Sequence, residues 1–192
     1  PSPPRSVSSA ASDVYKRQLI YLVGASKQEL GASELAFMLT ESGEAAGVGG
    51  QVPQLPQPTK NLDRYRALSQ SIRGGLVTTA HDSSEGGLAV ALAEMCIGGR
   101  MGAHIDIDGT GEADVWGRLW GESLGRIVVA VSPEHNDAFL AAMKGHETTV
   151  LGRVTAEPTL VIEDGLDELV SLGVETMVKA WKGTLDLTGG VA

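Results

Sequence analysis

The segment AHDSSEGGLAVALAEM occupies residues 80–95 and places a polar, glycine-containing turn before a run of small and aliphatic side chains. Its apolar residues recur at the i, i+3, i+4, i+7 and i+8 spacing of one helix face, and almost no polar residue lies opposite them. These residues are Leu88, Ala91, Leu92, Met95 and Cys96. A helix that is apolar nearly all round must be covered on every side, so the pattern predicts a buried helix over residues 86–97.

The residues before this helix offer hydrogen-bonding groups at its amino end. Asp82 or Ser84 can accept from the N–H groups of the first turn, which have no acceptor within the helix. Gly86 and Gly87 lack a Cβ and therefore let another backbone or an anion come close. Two interpretations stay open from spacing alone: a capped and tightly packed helix start with His81 hydrogen-bonded locally, or a ligand-binding turn.

Strands and helices alternate on both sides of this segment. Apolar runs and alternation predict strands over residues 19–23, 76–80, 103–108, 126–131, 148–154 and 159–163. Helical spacing and capping residues, including Asn61 and Ser132, predict helices over residues 29–40, 61–73, 86–97, 113–120, 133–144 and 167–181. The glycines and prolines of residues 41–58 predict a long loop. The expected fold is α/β (α+β), with a mixed sheet of about six strands and helices packed on it.

Residues 1–18, PSPPRSVSSAASDVYKRQ, are rich in Pro and Ser and carry no apolar period. We predict a disordered or artefactual tail here, because SVSSAASDVYKRQ resembles a read-through tail at the ends of environmental reading frames. A natural linker from a preceding domain is the alternative. Both interpretations imply an N-terminal partner domain, and residues 19–192 are predicted to form one domain.

The chain has 192 residues and a formal net charge of −9, and its basic residues are scattered along the sequence. This charge repels phosphate backbones and anionic lipids, so we expect neither nucleic acid nor a membrane as partner. A phosphorylated ligand would need backbone N–H groups, a helix N-terminus or a metal. The single cysteine, Cys96, cannot form an internal disulfide, which predicts a reducing, cytoplasmic location.

The segment HDSSEGGLAVALAEM resembles the His-Asp-x-Ser-[Asp/Glu]-Gly-Gly-Leu signature of C-terminal domains in the aminoimidazole ribonucleotide synthetase superfamily. The resemblance is greatest to the phosphoribosylformylglycinamidine synthases. Three further segments resemble that family in the same order: LGASE at residues 30–34, LWGESLGR at 119–126 and LGRV at 151–154. The length and the ALAEM run resemble the second C-terminal copy in the small, single-chain bacterial type.

The resemblance implies an enzyme of purine biosynthesis that uses ATP, Mg²⁺ and ammonia from a glutaminase subunit. Its reaction converts the amide of formylglycinamide ribonucleotide to an amidine. In that family the nucleotide, the metals and the catalytic histidine belong mainly to N-terminal-type domains. We therefore expect the isolated chain to be inactive, with no catalytic residue and no metal site, and to pair with a homologous C-terminal-type domain or a second copy.

The motif positions that the resemblance carries over are His81, Asp82, Ser84, Gly86 and Gly87. Each is a possible ligand contact or domain-interface contact, with a structural role as the alternative. Two positions depart from the family pattern. Ala32 replaces a usual Gly, which puts a close backbone approach in doubt. Trp120 stands where Phe is common and keeps a large ring.

Other residues suggest no site. His104 and His135 have no second ligand at metal spacing and are expected to be structural. Cys96 lies within an apolar helix, which raises a thiol pKa and argues against a nucleophile. Trp116 and Trp120, four residues apart, predict one buried or partner-facing helix face. Glu122 and Arg126 are expected to form at most a surface ion pair.

Two alternative functions stay open. A sister family with the same fold is one, such as selenophosphate synthetase, thiamine monophosphate kinase or the hydrogenase maturation protein. The LGASE and GES segments argue against it. The other is a non-catalytic dimerisation or scaffolding domain, suggested by the aliphatic, glycine-rich strands.

Overall fold

The computed structural model describes residues 17–43, 50–54 and 57–183. The predicted tail, up to residue 16, and much of the predicted loop lie outside these residues. The strands are β1 Leu19–Val23, β2 Thr79–Asp82, β3 Gly102–Asp106, β4 Ile127–Val131, β5 Thr148–Thr155, β6 Thr159–Asp164 and β7 Asp167–Gly173. The helices are α1 Glu34–Glu41, α2 Pro58–Arg73, α3 Gly87–Gly99, α4 Val115–Trp120, α5 Asn136–Ala142 and α6 Val174–Gly183, with a 3₁₀ turn at Pro133–His135.

The strands form one seven-stranded sheet in the order β2-β4-β1-β5-β3-β6-β7. Only β3 and β6 pair in parallel, and every other pair is antiparallel. The sheet is therefore mixed with helices packed on it, as predicted, and has one strand more than expected. None of the described helices is long and apolar enough to cross a membrane.

Apolar layers pack on both faces of the sheet because its central strands alternate strictly, and the second layer covers only part of its face. In β1, Ile20 and Leu22 point to one face while Tyr21 and Val23 point to the other. The first face packs on α3, α4 and α6, and the second packs on α2 and α5. The predicted buried helix α3 lies in the larger layer, where Leu88 and Leu92 are almost fully buried.

The prediction of a helix over residues 167–181 is wrong in its first half. Residues Asp167–Gly173 form β7, which pairs antiparallel with β6 through a turn at Gly165, where φ is 65°. Leu169 and Leu172 stand three apart, which places them on one face of a helix but on opposite faces of a strand. The tight turn nevertheless decides for the strand, since a glycine with positive φ closes a hairpin readily. The helix begins only at Val174.

Several predicted boundaries also shift. The first helix starts at Glu34 with Ser33 as its N-cap, rather than at Glu29, which is buried in the loop before it. Asn61 does not cap α2, because it lies one turn inside a helix that begins at Pro58. Strand β2 starts at Thr79 instead of residue 76 and ends at Asp82, so part of the motif belongs to the strand.

Candidate functional site

The HDSSEGG motif forms one wall of a groove with a volume of about 440 Å³. Strand β2 ends at the groove and the loop to α3 continues along it. The opposite wall is the connection from α4 to β4, and Tyr65 of α2 closes one side. The motif residues that line the groove are Asp82, Ser83, Ser84 and Glu85, and those of the opposite wall are Glu122, Leu124, Gly125, Arg126 and Ile127.

Asp82 and Ser84 bond to each other rather than to the helix. The Ser84 hydroxyl donates to Asp82 Oδ2, and this bond is the main reason why the pKa of Asp82 lies below its usual value. Neither side chain caps α3. The N-cap residue of α3 is Gly86, which has no side chain that could make a capping bond. The expectation that Asp82 or Ser84 caps the first turn is therefore wrong, and both side chains stay exposed at the groove.

His81 does not line the groove. Its neighbour Asp82 does, and successive side chains of a strand point to opposite faces of the sheet. His81 Nε2 lies 3.2 Å from Glu94 Oε2 of α3, and Nδ1 is 2.6 Å from the carbonyl oxygen of Asp82. The structure thus separates the His81 side chain from those of Asp82 and Ser84. Each of its two ring nitrogens has a partner nearby in the fold.

The amino end of α3 is capped by Glu122 from the opposite wall. Glu122 Oε1 accepts from the N–H of Gly86 at 3.0 Å and from the N–H of Glu34 at 2.9 Å. One carboxylate thus joins the amino ends of α1 and α3, where negative charge is stabilised by the helix dipole. Sequence reasoning missed this role, although the GES segment that contains Glu122 resembled the family.

The two glycines of the motif both have positive φ, and one of them permits a close backbone approach. Gly86 and Gly87 have φ values of 74° and 67°. A Cβ at Gly87 would lie 2.7 Å from the carbonyl oxygens of Leu119 and Gly121. The predicted close approach of another backbone is therefore present at Gly87, where the approaching group is the backbone that leads from α4 to the groove. At Gly86 a Cβ would instead meet the side chain of Val90 in the same helix.

Arg126 is buried beneath the groove, with only 1% of its surface exposed. Its guanidinium donates to Ser26 Oγ at 2.9 Å, to the Arg118 carbonyl at 3.3 Å and to the Gly121 carbonyl. Burial lowers its pKa to about 10, although the charges of Glu29 and Glu122 oppose that shift. The predicted surface ion pair between Glu122 and Arg126 is wrong, because Arg126 is an interior residue that fixes the 118–121 backbone.

Ala32 has a φ of 59°, the left-handed conformation that glycine adopts readily. The departure from the family pattern therefore falls at a position where a Cβ costs about 1 kcal/mol. Trp120 is half-buried against the main core, but Trp116 is 53% exposed. The two rings do not share one buried face.

The remaining expectations concern residues outside the groove. Burial raises the pKa of the Cys96 thiol to about 11, as its apolar surroundings predicted. His104 Nε2 lies 2.8 Å from Glu163 Oε2, and His135 Nδ1 lies 3.2 Å from Ser132 Oγ. Within residues 17–43, 50–54 and 57–183, no three His, Cys, Asp or Glu side chains are grouped to hold a metal ion.

The groove's own charges do not fit a nucleoside triphosphate bound by these residues alone. Among the residues that the structure describes, three carboxylates line it, from Asp82, Glu85 and Glu122, and the only lining cation is the buried Arg126. A triphosphate would meet like charge without a compensating exposed cation. We therefore derive no chemical step through ATP or Mg²⁺ on this chain.

Comparisons with known proteins agree with the fold. A family model described as "AIR synthase related protein, C-terminal domain" matches residues 18–165. Thermotoga maritima PurL complexed with FGAR is 20% identical, with a TM-score of 0.66 over 84% of this chain and 27% of that chain. Phosphoribosylformylglycinamidine synthase II from the same organism is 20% identical, with a TM-score of 0.63 over 84% of this chain and 25% of that one.

A protein with a different title is also similar. The hydrogenase maturation protein HypE in complex with ATP is 17% identical, with a TM-score of 0.54 over 82% of this chain and 51% of that chain. At such identities the likeness concerns the fold. The chain spans about a quarter of the length of the synthases that it matches.

Proposed function

Because the chain belongs to the family of AIR synthase related protein C-terminal domains, we propose that it is one such domain of a phosphoribosylformylglycinamidine synthase. The reaction of that enzyme is the ATP-dependent conversion of formylglycinamide ribonucleotide to its amidine in purine biosynthesis, in the cytoplasm. The proposal rests on the motif resemblance and on the similarity to PurL complexed with FGAR. The isolated chain is inactive in this proposal, because other domains hold ATP and Mg²⁺.

The observation that carries the proposal is the exposure of the motif in a groove large enough for a small ligand. Its volume of about 440 Å³ lies within the usual range of ligand sites. The hydroxyl of Ser83 lines the groove, is buried and has no hydrogen-bond partner in the described part of the chain. Buried polar groups are normally satisfied, so this hydroxyl is available to a ligand or a facing domain.

The first test is activity. The 192-residue chain, given ATP, Mg²⁺, ammonia and formylglycinamide ribonucleotide, is expected to release no phosphate above background, whereas a longer polypeptide that joins this domain to the other domains of such a synthase forms the amidine. In that longer protein Asp82→Asn should raise KM about fivefold, because the loss of one hydrogen bond weakens substrate binding by about 1 kcal/mol. Asp63→Asn, at an exposed residue of α2, is the matched control and should leave KM unchanged. Turnover by the short chain alone would contradict the proposal.

The sister-family alternative has one observation in its favour, the similarity to HypE. The longer polypeptide also decides this question. If it consumed ATP but formed no amidine from formylglycinamide ribonucleotide, the synthase assignment would be lost and the sister family would stand.

We also propose that the chain pairs with other domains of its own polypeptide, one of them a homologous C-terminal-type domain, and that a glutaminase subunit supplies ammonia. A second copy of the chain can take the homologous domain's place. One observation supports pairing: among the described residues no helix covers the second face of β5, β3, β6 and β7. Val150 on that face is 53% exposed.

Light scattering tests this pairing. The chain should dimerise at tens of micromolar, and Val150→Glu should shift it to a monomer, because a stable interface buries more than about 1,000 Å² and excludes an unpaired charge. Thr176→Glu, on the exposed side of α6, adds the same single negative charge and is the control. A wild-type chain that stays monomeric would exclude pairing between copies.

A further inference from the structure

The groove beside the motif has an excess of negative charge at its surface. Among the described residues, the carboxylates of Asp82, Glu85 and Glu122 line it, and Arg126 is the one lining cation. Arg126 is buried, donates to three acceptors inside the protein, and its charge already interacts with that of Glu122. Glu85 is exposed and makes no hydrogen bond or ion pair with any other described residue. The groove therefore attracts a cation from outside the chain.

Ser83 gives a second, independent indication of a ligand in this groove. Its side chain lines the groove and is only 7% exposed, and its hydroxyl has no hydrogen-bond partner in the described part of the chain. Buried hydroxyl groups normally have a partner. A ligand that brings an N–H donor into the groove would supply the missing one.

The arrangement of the carboxylates indicates which kind of cation fits. Within residues 17–43, 50–54 and 57–183, no three His, Cys, Asp or Glu side chains are grouped to hold a metal ion. A metal ion or an ammonium group is a compact charge, so it could reach few of these separate acceptors at once. A guanidinium is a planar fork with several N–H donors that point outward. This shape favours a guanidinium over a compact cation.

The groove also offers apolar surface for the rest of such a ligand. Leu124 is 51% exposed, and Pro53 and Ile127 line the groove with it. The groove volume of about 440 Å³ leaves room for an alkyl chain beside the guanidinium. Methylene groups pack on apolar surface while the charged end stays among polar groups. The lining therefore suits an alkylguanidinium, the chemical group at the end of an arginine side chain.

We propose that the groove lined by Asp82, Ser83, Glu85 and Glu122 binds an alkylguanidinium, with its methylene chain against Leu124. The inference concerns the groove of the proposed function, but it rests on the lining residues alone and involves neither ATP nor the synthase substrate. The same charges that do not fit a triphosphate fit this cation. Two sources share this chemistry, an arginine side chain of a facing domain and a free guanidinium compound.

Titration of the isotopically labelled 192-residue chain with n-butylguanidinium, followed by its backbone amide NMR signals, tests the site. Binding should be about tenfold tighter than that of n-butylurea, which has a similar shape and no charge. It should also be about threefold tighter than that of n-butylammonium, whose charge is compact. The amide signals that shift should belong to residues 82–86 and 122–127.

Two variants test the contacts of the proposed ligand. Glu85→Gln breaks no contact within the described residues and should weaken n-butylguanidinium binding about threefold, as expected for an exposed ion pair. Ser83→Ala should weaken binding about fivefold, as expected for one hydrogen bond, without lowering the midpoint of urea unfolding. A hydroxyl with a structural role only would leave binding unchanged. Glu168→Gln, on β7 at the opposite edge of the sheet from β2, is the matched control and should not alter binding.

Several results would overturn the proposal. These are n-butylguanidinium binding no tighter than that of n-butylurea, equal losses in Glu85→Gln and Glu168→Gln, an unaffected Ser83→Ala variant, and amide shifts confined to residues outside the groove. Equally tight binding of n-butylammonium would overturn the selection of a guanidinium.

A blocked Gly-Arg-Gly tripeptide distinguishes the two sources. Tighter binding of the tripeptide than of n-butylguanidinium would assign the groove to an arginine of a facing domain, and weaker binding would assign it to a free compound. Neither ATP turnover nor amidine formation enters these measurements. A failed synthase assignment would therefore leave them unchanged, and their failure would leave the assignment standing.

Discussion

Gly87→Ala is expected to lower the free energy of unfolding by about 3 kcal/mol, combining backbone strain with overpacking. The new Cβ would lie 2.7 Å from the carbonyl oxygens of Leu119 and Gly121 and 2.9 Å from the carbonyl carbon of Trp120. These atoms belong to backbone and cannot rotate away. The φ of 67° adds strain for any residue with a Cβ. Urea unfolding followed by circular dichroism measures the change.

Gly98→Ala is the matched control within the same helix. A Cβ at Gly98 meets no atom within 4 Å, and the residue is exposed near the end of α3. Alanine is the better helix former, so this variant should be more stable by about 0.5–1 kcal/mol. Equal unfolding midpoints for Gly87→Ala and the wild type would show that α3 does not begin against the 119–121 backbone.

The fold was predictable where one periodic pattern decided the structure. Residues 86–97 carry an apolar pattern that fits only a buried helix, and α3 spans Gly87–Gly99. The strand predicted from residues 126–131 likewise coincides with β4, Ile127–Val131. In such segments local spacing and burial favour the same element, so tertiary contacts change only the boundaries.

The failures had two causes. Asp167–Gly173 is a strand because the turn at Gly165 closes a hairpin with β6, a local signal that the helical interpretation of Leu169 and Leu172 passed over. The cap of α3 comes from Glu122, 36 residues beyond Gly86. A capping rule that searches the adjacent residues finds Asp82 and Ser84 and cannot find that carboxylate.

The candidate site was predictable in part. The motif itself lies at the groove through Asp82 and Ser84, while His81 points to Glu94 instead. Strand alternation, applied with the correct strand boundary, would have separated His81 from Asp82. Tyr65 carries no sequence signal for a site, because only the packing of α2 against the α4–β4 connection brings it to the groove.

Arg126→Met is expected to destabilise the chain by about 3–5 kcal/mol, the usual range for breaking a buried charge network. Methionine fills a similar volume but leaves Ser26 Oγ and the carbonyls of Arg118 and Gly121 without their donor. It also removes the cation that faces the buried carboxylate of Glu29. Urea unfolding at neutral pH measures the loss, since a pKa of about 10 keeps Arg126 protonated there.

Arg153→Met separates this effect from the loss of any arginine. Arg153 is exposed on β5, so its replacement should change stability by no more than about 0.5 kcal/mol. Arg126→Lys keeps the charge but not the planar group that reaches three acceptors. Its loss of unfolding free energy should therefore lie between the losses of Arg126→Met and Arg153→Met. Equal losses in Arg126→Met and Arg153→Met would contradict the buried network.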